Sequence, residues 1–115
     1  MQRSEVWLVN LDPTIGAEIR KTRPAVILSS DLMGVLPLRI IVPITEWKSH
    51  YEVAPWLVKL EPDSENGLEK PSAADCFQIR SVSIARLYKR LGRVSPNVLR
   101  NILQGVREVL EIEGA

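Results

Sequence analysis

Apolar positions fall along this chain in short blocks, and then near its end in a helical repeat. Val6-Trp-Leu-Val-Asn-Leu11 is dense in strand formers and stops at Asp12-Pro13, a turn signal. Pro24-Ala-Val-Ile-Leu28 and Arg39-Ile-Ile-Val-Pro-Ile-Thr45 predict two more strands. Proline has no N–H to give a ladder, so Pro24 belongs at a strand's first position or an edge, and Pro43 at an edge or a bulge. Trp56-Leu-Val-Lys-Leu60 alternates, then enters the polar, turn-rich Glu61-Pro-Asp-Ser-Glu-Asn-Gly67. The segment from Ala74 to Val82 predicts one longer extended stretch, and Tyr88 to Val94 a last short strand.

After Ser95 and Pro96, an N-cap and first-turn proline, the period changes. Val98, Leu99, Ile102, Leu103, Val106, Val109 and Leu110 recur at helical spacing, with Arg100, Asn101, Gln104, Arg107, Glu108 and Glu111 between them. That predicts one closing helix of roughly 17 residues, about 25 Å long. Five or six short strands and one packed helix describe a small twisted barrel or half-barrel. An SH3-like barrel is the most economical mainly-β arrangement with a C-terminal helix.

Length keeps this to one domain over residues 1–115, since 115 residues bury a single core. Apolar residues make up 45% and charged residues 25%, an ordinary globular composition. A formal charge of +1 removes the global signature of a nucleic-acid binder. The local distribution restores interest. From Arg80 to Arg100 there are six cations (Arg80, Arg86, Lys89, Arg90, Arg93, Arg100) and no acid. Glu61 to Glu69 holds four acids and no cation. Patches, not net charge, must do any steering. Cys76 is the single cysteine, which fits a reducing compartment. MQRSEVW lacks an apolar signal core and no apolar run approaches bilayer length, so a cytoplasmic chain without membrane contact is expected.

Candidate chemistry gathers in GAEIRKTRPAVIL, residues 16–28, where Arg20, Lys21 and Arg23 crowd the approach to a strand. Gly16 allows a positive φ in that loop. Arginine pairs two phosphate oxygens with its planar fork and keeps its charge, and a strand junction holds it better than a loop tip. The plainer alternative is a solvated arginine beside a strand. Gln78 and Arg80 alternate, so they share one face if their segment is extended. The plainer alternative for Arg80 is an ion pair with the acidic loop, worth under about 1 kcal/mol. Trp47 beside Lys48 could stack a base for about 1–3 kcal/mol, whereas Trp56 is expected against the barrel or in a dimer interface. His50, the only histidine, reads as a surface loop residue, and Cys76 as a small buried hydrophobe. One histidine and one cysteine do not make a metal cage.

Several of these segments carry a resemblance. Glu5-Val-Trp-Leu-Val-Asn-Leu-Asp-Pro13, Gly16, Glu18, Lys21, Arg23-Pro24, Val42-Pro-Ile-Thr45, Gln78-Ile-Arg80 and Arg86-Leu87 occur in the order of the MazF/PemK toxin endoribonucleases, which this chain resembles over nearly its whole length. The resemblance implies the SH3-like barrel of the plasmid maintenance toxin fold, assembled as a homodimer. It implies cleavage of single-stranded RNA, messenger RNA in the cell, by 2′-OH attack to a 2′,3′-cyclic phosphate, with neither metal nor cofactor. It also implies a cognate antitoxin of the type II toxin–antitoxin class, which lays an acidic tail along the RNA groove.

Residue by residue, the resemblance makes Arg23 and Thr45 catalytic. It places Gln78 and Arg80 beside the RNA and puts Glu18 and Lys21 on a loop that covers the site, where Glu18 is open as a base, a reader of a base edge or a solvated loop acid. Arg20, on the same loop, is expected only to steer the RNA backbone. Trp47 completes the expected RNA contacts. Three departures leave the proton-transfer groups unassigned. Ala17 stands where some relatives have histidine, Phe77 where some have an acid, and Ser83 where aspartate is common. Asp75 is a weak substitute if its segment is extended, because it would then face away from Gln78 and Arg80. Ser83 reads as a possible helix cap. Two other readings stay open at this point: a non-catalytic toxin of the same fold that binds a protein such as DNA gyrase, and a plain SH3-like binding module.

Overall fold

The computed structural model describes residues 1–113. Its strands are β1 (Glu5–Asn10), β2 (Thr22–Ile27), β3 (Leu38–Glu46), β4 (Leu57–Leu60), β5 (Ser72–Asp75), β6 (Arg80–Ser83) and β7 (Leu87–Arg93), followed by the helix α1 (Pro96–Leu110). The strands run in the order β4-β5-β3-β2-β1-β7, with β6 also pairing β3, and every pairing is antiparallel. This is the mainly-β architecture with a C-terminal helix that the pattern predicts.

The continuous apolar runs of β2 and β3 have a physical cause. Val26 and Val42 face one buried cluster with Ile44, Leu60, Ile102 and Val106. The alternate residues Ala25, Ile27 and Ile41 face a second cluster with Val9, Leu11, Val82 and Leu87. Both faces are dry, so neither strand alternates with polar residues. The helix covers the first cluster through Ile102, Gly105 and Val106. Its start is as expected: Ser95 Oγ accepts the Val98 N–H at 3.2 Å, and Pro96 opens the first turn. It stops after 15 residues because Glu111 turns left-handed, at φ 54°.

Two prolines and one turn shape the site. β3 pairs β2 up to Ala25↔Pro43 and pairs β5 from Ile44↔Ala74 onward. Pro43 therefore stands where β3 changes partner and one N–H can be spared, which is the irregularity its ring predicts. Pro24 is the third residue of β2 and not its first; it lies opposite Leu8, before β2 meets β3.

The single extended stretch predicted from Ala74 to Val82 is broken. A 3₁₀ turn at Cys76–Gln78 separates β5 from β6. Asp75 caps it, its Oδ1 accepting the Phe77 N–H at 3.1 Å, which is the local competition that aspartate offers to an extended backbone. Ser83 caps a similar turn over Ile84–Arg86 by accepting the Ala85 N–H at 3.2 Å. The acidic loop is ordered by buried Asn66, whose Nδ2 donates to the Glu61 carbonyl and whose Oδ1 accepts from Leu68.

Candidate functional site

Where β3 leaves β2, the two strands splay and open a cleft of about 370 Å³. Arg23 of β2 and Thr45 of β3 both line it, two residues beyond the last Ala25↔Pro43 rung. The acidic loop forms the far wall through Gly67, Leu68 and Glu69. Arg23 is exposed, and its Nε donates to the Arg20 carbonyl at 3.3 Å. Among the described residues neither Nη atom has a hydrogen-bond or ion-pair partner, and Thr45 Oγ1 has none either. A guanidinium with both Nη atoms unspent and a free hydroxyl thus line one cleft. Lys89 lines the same cleft and adds charge; Lys70 does too, 3.4 Å from Glu46.

Thr45 also borders a second depression of about 510 Å³, shared with His50, Tyr51, Trp56, Asp75 and Gln78. Gln78 in turn borders a third, also about 510 Å³, with Glu18, Ile19, Phe77 and Arg80. The three depressions therefore adjoin, the first two sharing Thr45 and the last two sharing Gln78.

The remaining predicted residues divide. Gln78 is half-buried in the 3₁₀ turn and not on a strand, so it does not share a strand face with Arg80. The two still line one depression. Arg80 donates from Nη1 to the Leu11 carbonyl at 3.2 Å, away from the acidic loop. Glu18 accepts the Ile15 N–H at 2.9 Å and so holds its own loop together. Arg20 and Lys21 are exposed on that loop. Lys21 has a positive φ of 69°, with its N–H given to Asp12 Oδ1 and its carbonyl accepting the Leu11 N–H. The backbone at Lys21 closes the base of the loop, and the ammonium is left to solvent.

The aromatics are arranged otherwise than expected. Trp47 is half-buried, with its ring centre 5.8 Å from Tyr51 and the Lys59 ammonium 5.1 Å from its own. Trp56, expected against the barrel or in a dimer interface, is not packed against the barrel: it is 41% exposed in the single chain and lines the second depression. It stands between the 3₁₀ turn Ser49–Val53, capped by Ala54, and the start of β4. His50 is exposed on the rim with its ring 4.8 Å from Tyr51.

Asp75 is the residue that sequence reasoning set aside. The turn carries it toward Gln78, whose Nε2 donates to Asp75 Oδ2 at 3.2 Å. Burial pushes its carboxyl above the usual aspartate range, against the Phe77 and Gln78 hydrogen bonds that lower it. The signal was present in the sequence as an Asp two residues before Phe77, the spacing of a capped turn. Cys76, beside it, is fully buried, and burial with the nearby Asp75 and Glu108 charges pushes its thiol up to about 12. It is a packing residue with no thiolate chemistry near neutral pH.

Comparison with known proteins fits this arrangement. A family model described as PemK-like, MazF-like toxin of type II toxin-antitoxin system matches residues 2–110. Endoribonuclease MazF9 of Mycobacterium tuberculosis is 33% identical over 118 residues, covering 97% of this chain and 98% of that protein. Endoribonuclease PemK of Escherichia coli is 33% identical over 112 residues, covering 96% of this chain and 82% of PemK. Among solved structures, MazF from Deinococcus radiodurans superposes with a TM-score of 0.82 at 23% identity, over 97% of each chain. An endoribonuclease in complex with its cognate antitoxin, from a mycobacterial species, superposes with a TM-score of 0.78 at 18% identity over 100% of this chain and 99% of that one. With strand order, helix and cleft as described, and the family model spanning nearly all of it, this chain belongs to the PemK-like, MazF-like toxins of type II toxin–antitoxin systems.

Proposed function

We propose that this chain is an endoribonuclease toxin that cuts single-stranded RNA by attack of a ribose 2′-OH on the adjacent phosphate. The observation that carries the reading is the meeting of Arg23 and Thr45 in one cleft with free Nη and Oγ1 atoms. In the reaction the 2′-oxygen loses its proton and bonds to phosphorus, and the bond from phosphorus to the 5′-oxygen breaks. That 5′-oxygen takes up a proton, leaving a 2′,3′-cyclic phosphate. Negative charge grows on the non-bridging oxygens of the phosphorane. The Arg23 fork is suited to those oxygens, and Thr45 can donate a third hydrogen bond. Neither step needs a metal or cofactor to balance. Gln78 and Arg80 further along the groove are placed for neighbouring phosphates or base edges, and exposed Trp56 offers a stacking face.

The proposed partners follow from the same groove. A cognate antitoxin would occupy it with an acidic segment, competing with RNA for Arg23 and Lys89. A homodimer is the proposed assembly, and Leu32, Met33 and Val35, exposed at 90%, 57% and 92%, form apolar surface that a second copy could cover. The working compartment is the cytoplasm, where single-stranded messenger RNA is the substrate; among the described residues no helix is long and apolar enough to cross a membrane.

Single-turnover cleavage of a long RNA by Arg23→Ala and Thr45→Ala tests the assignment. Loss of one charge-stabilising donor costs about 10²–10³ in rate, so both variants should fall by that order with circular dichroism unchanged. Wild-type rates in folded Arg23→Ala would remove it from the catalytic role.

A further inference from the structure

The loop between β1 and β2 has a side-chain fastening at its far side. Gln78 Oε1 accepts the Ile19 N–H at 2.5 Å, and Gln78 Nε2 donates to the Ala17 carbonyl at 3.3 Å. The same Nε2 donates to Asp75 Oδ2 at 3.2 Å. One amide thus ties two loop residues to the groove floor, across a sequence separation of about sixty. Only one orientation of that amide satisfies all three partners, since two are acceptors and one is a donor. We infer that Asp75 is a positioning residue, which holds the Gln78 amide in the orientation that latches the Ala17–Ile19 segment over the groove.

The geometry explains why an aspartate suits this position. Oδ1 accepts the Phe77 N–H as the cap of the turn, and Oδ2 accepts from the Gln78 side-chain amide. A carboxylate has no donor to misplace. An asparagine would keep the cap through Oδ1 and turn an NH₂ toward the Gln78 NH₂. To escape that clash the Gln78 amide must rotate, and it would then set a donor against the Ile19 N–H. An isosteric change at Asp75 should therefore unfasten a loop to which Asp75 itself makes no hydrogen bond. The loop carries Glu18, Arg20 and Lys21, so its release should be felt in RNA binding. That last consequence alone rests on the nuclease reading.

Amide hydrogen exchange at Ile19, followed by NMR in the full chain, tests the latch without RNA. Asp75→Asn should raise Ile19 exchange at least tenfold while the melting temperature and the Val42 and Val26 amides stay as in the wild type. Asp75→Asn combined with Gln78→Glu sets the introduced NH₂ against a carboxylate and restores an acceptor for Ile19 but loses the bond to the Ala17 carbonyl, so Ile19 exchange should slow in part, to a rate between the single variant and the wild type. If Asp75→Asn does not fold, Asp75→Ser keeps a capping oxygen without reaching Gln78 and should still raise Ile19 exchange. Unchanged Ile19 protection in a folded Asp75 variant overturns the inference. With RNA added, the defect should appear as a several-fold higher KM, with kcat moved less. A chain that cuts no RNA would refute the nuclease reading yet leave the exchange result to decide the latch.

Discussion

Arg23 and Glu5 show how differently two charged residues can be used. Arg23 is exposed and spends only its Nε on the fold. Its value lies in the unspent fork, so Arg23→Lys, which keeps the charge but offers a compact ammonium, should lose most of the activity, about tenfold or more in cleavage rate. Glu5 is spent entirely on the fold. It is 7% exposed and accepts from the Gln2 N–H, Trp7 Nε1 and Arg90 Nε at 2.8, 3.0 and 3.0 Å. Burial works to raise its pKa, but those bonds and the terminal amine outweigh burial and hold it at about 2, against an ordinary 4.5. A depressed folded pKa contributes stability above the unfolded value that is lost as pH falls through the folded one. Arg90 and Arg93 are half-exposed, which screens the interaction and leaves it worth roughly 1–2 kcal/mol. Thermal melts should therefore show wild-type stability declining between about pH 4.5 and 2. Glu5→Gln should be less stable at neutral pH and lose less across that window; equal pH slopes would rule Glu5 out as the cause.

Elements place these residues, and glycine positions show how tightly. Gly92 of β7 lies against the acidic loop, and a Cβ there would fall 2.0 Å from the Glu65 carbonyl oxygen. Neither backbone can yield cheaply, because the Arg93 N–H donates to that same carbonyl at 2.8 Å. Gly92→Ala should cost about 2 kcal/mol or more and displace the loop that walls the Arg23 cleft. Gly16 lies in open space, with φ +59° as its only constraint, so Gly16→Ala should cost about 1 kcal/mol. Chemical denaturation of both variants checks the contrast. Most elements were legible from the sequence, because blocks of β-formers and one helical stripe are strong local signals. Pro43 was legible as an irregularity, though not as the place where β3 changes partner, which depends on strands far away in the chain. The turn at Cys76–Gln78 was missed because Ala74 to Val82 looks continuously extended, while the Asp75 cap decides otherwise. That one miss reversed the reading of Asp75. The sequence ranks Trp47 above Trp56 for stacking, but in the chain Trp47 is half-buried and Trp56 exposed, since they fall on opposite sides of a short turn.

At the scale of the molecule, a chain of net charge +1 must attract an anionic polymer through local fields. Arg23, Lys89 and Arg80 border the run of depressions, while Glu61, Asp63 and Glu65 sit on the loop beyond its wall. Binding that holds several phosphates releases counterions, so RNA affinity should fall steeply with salt. A flat salt response, measured by fluorescence anisotropy with Arg23→Ala, would point to a protein target. The resemblance carried the identity of the chemistry, since unaided composition would have stopped at a small β-barrel. The structure then placed Arg23 and Thr45 in one cleft and brought Asp75 beside Gln78. The most direct measurement is to incubate the purified chain with a long single-stranded RNA in EDTA and map the fragment ends. The account predicts discrete cuts bearing 2′,3′-cyclic phosphates, absent with Arg23→Ala; intact RNA at high protein concentration would contradict it.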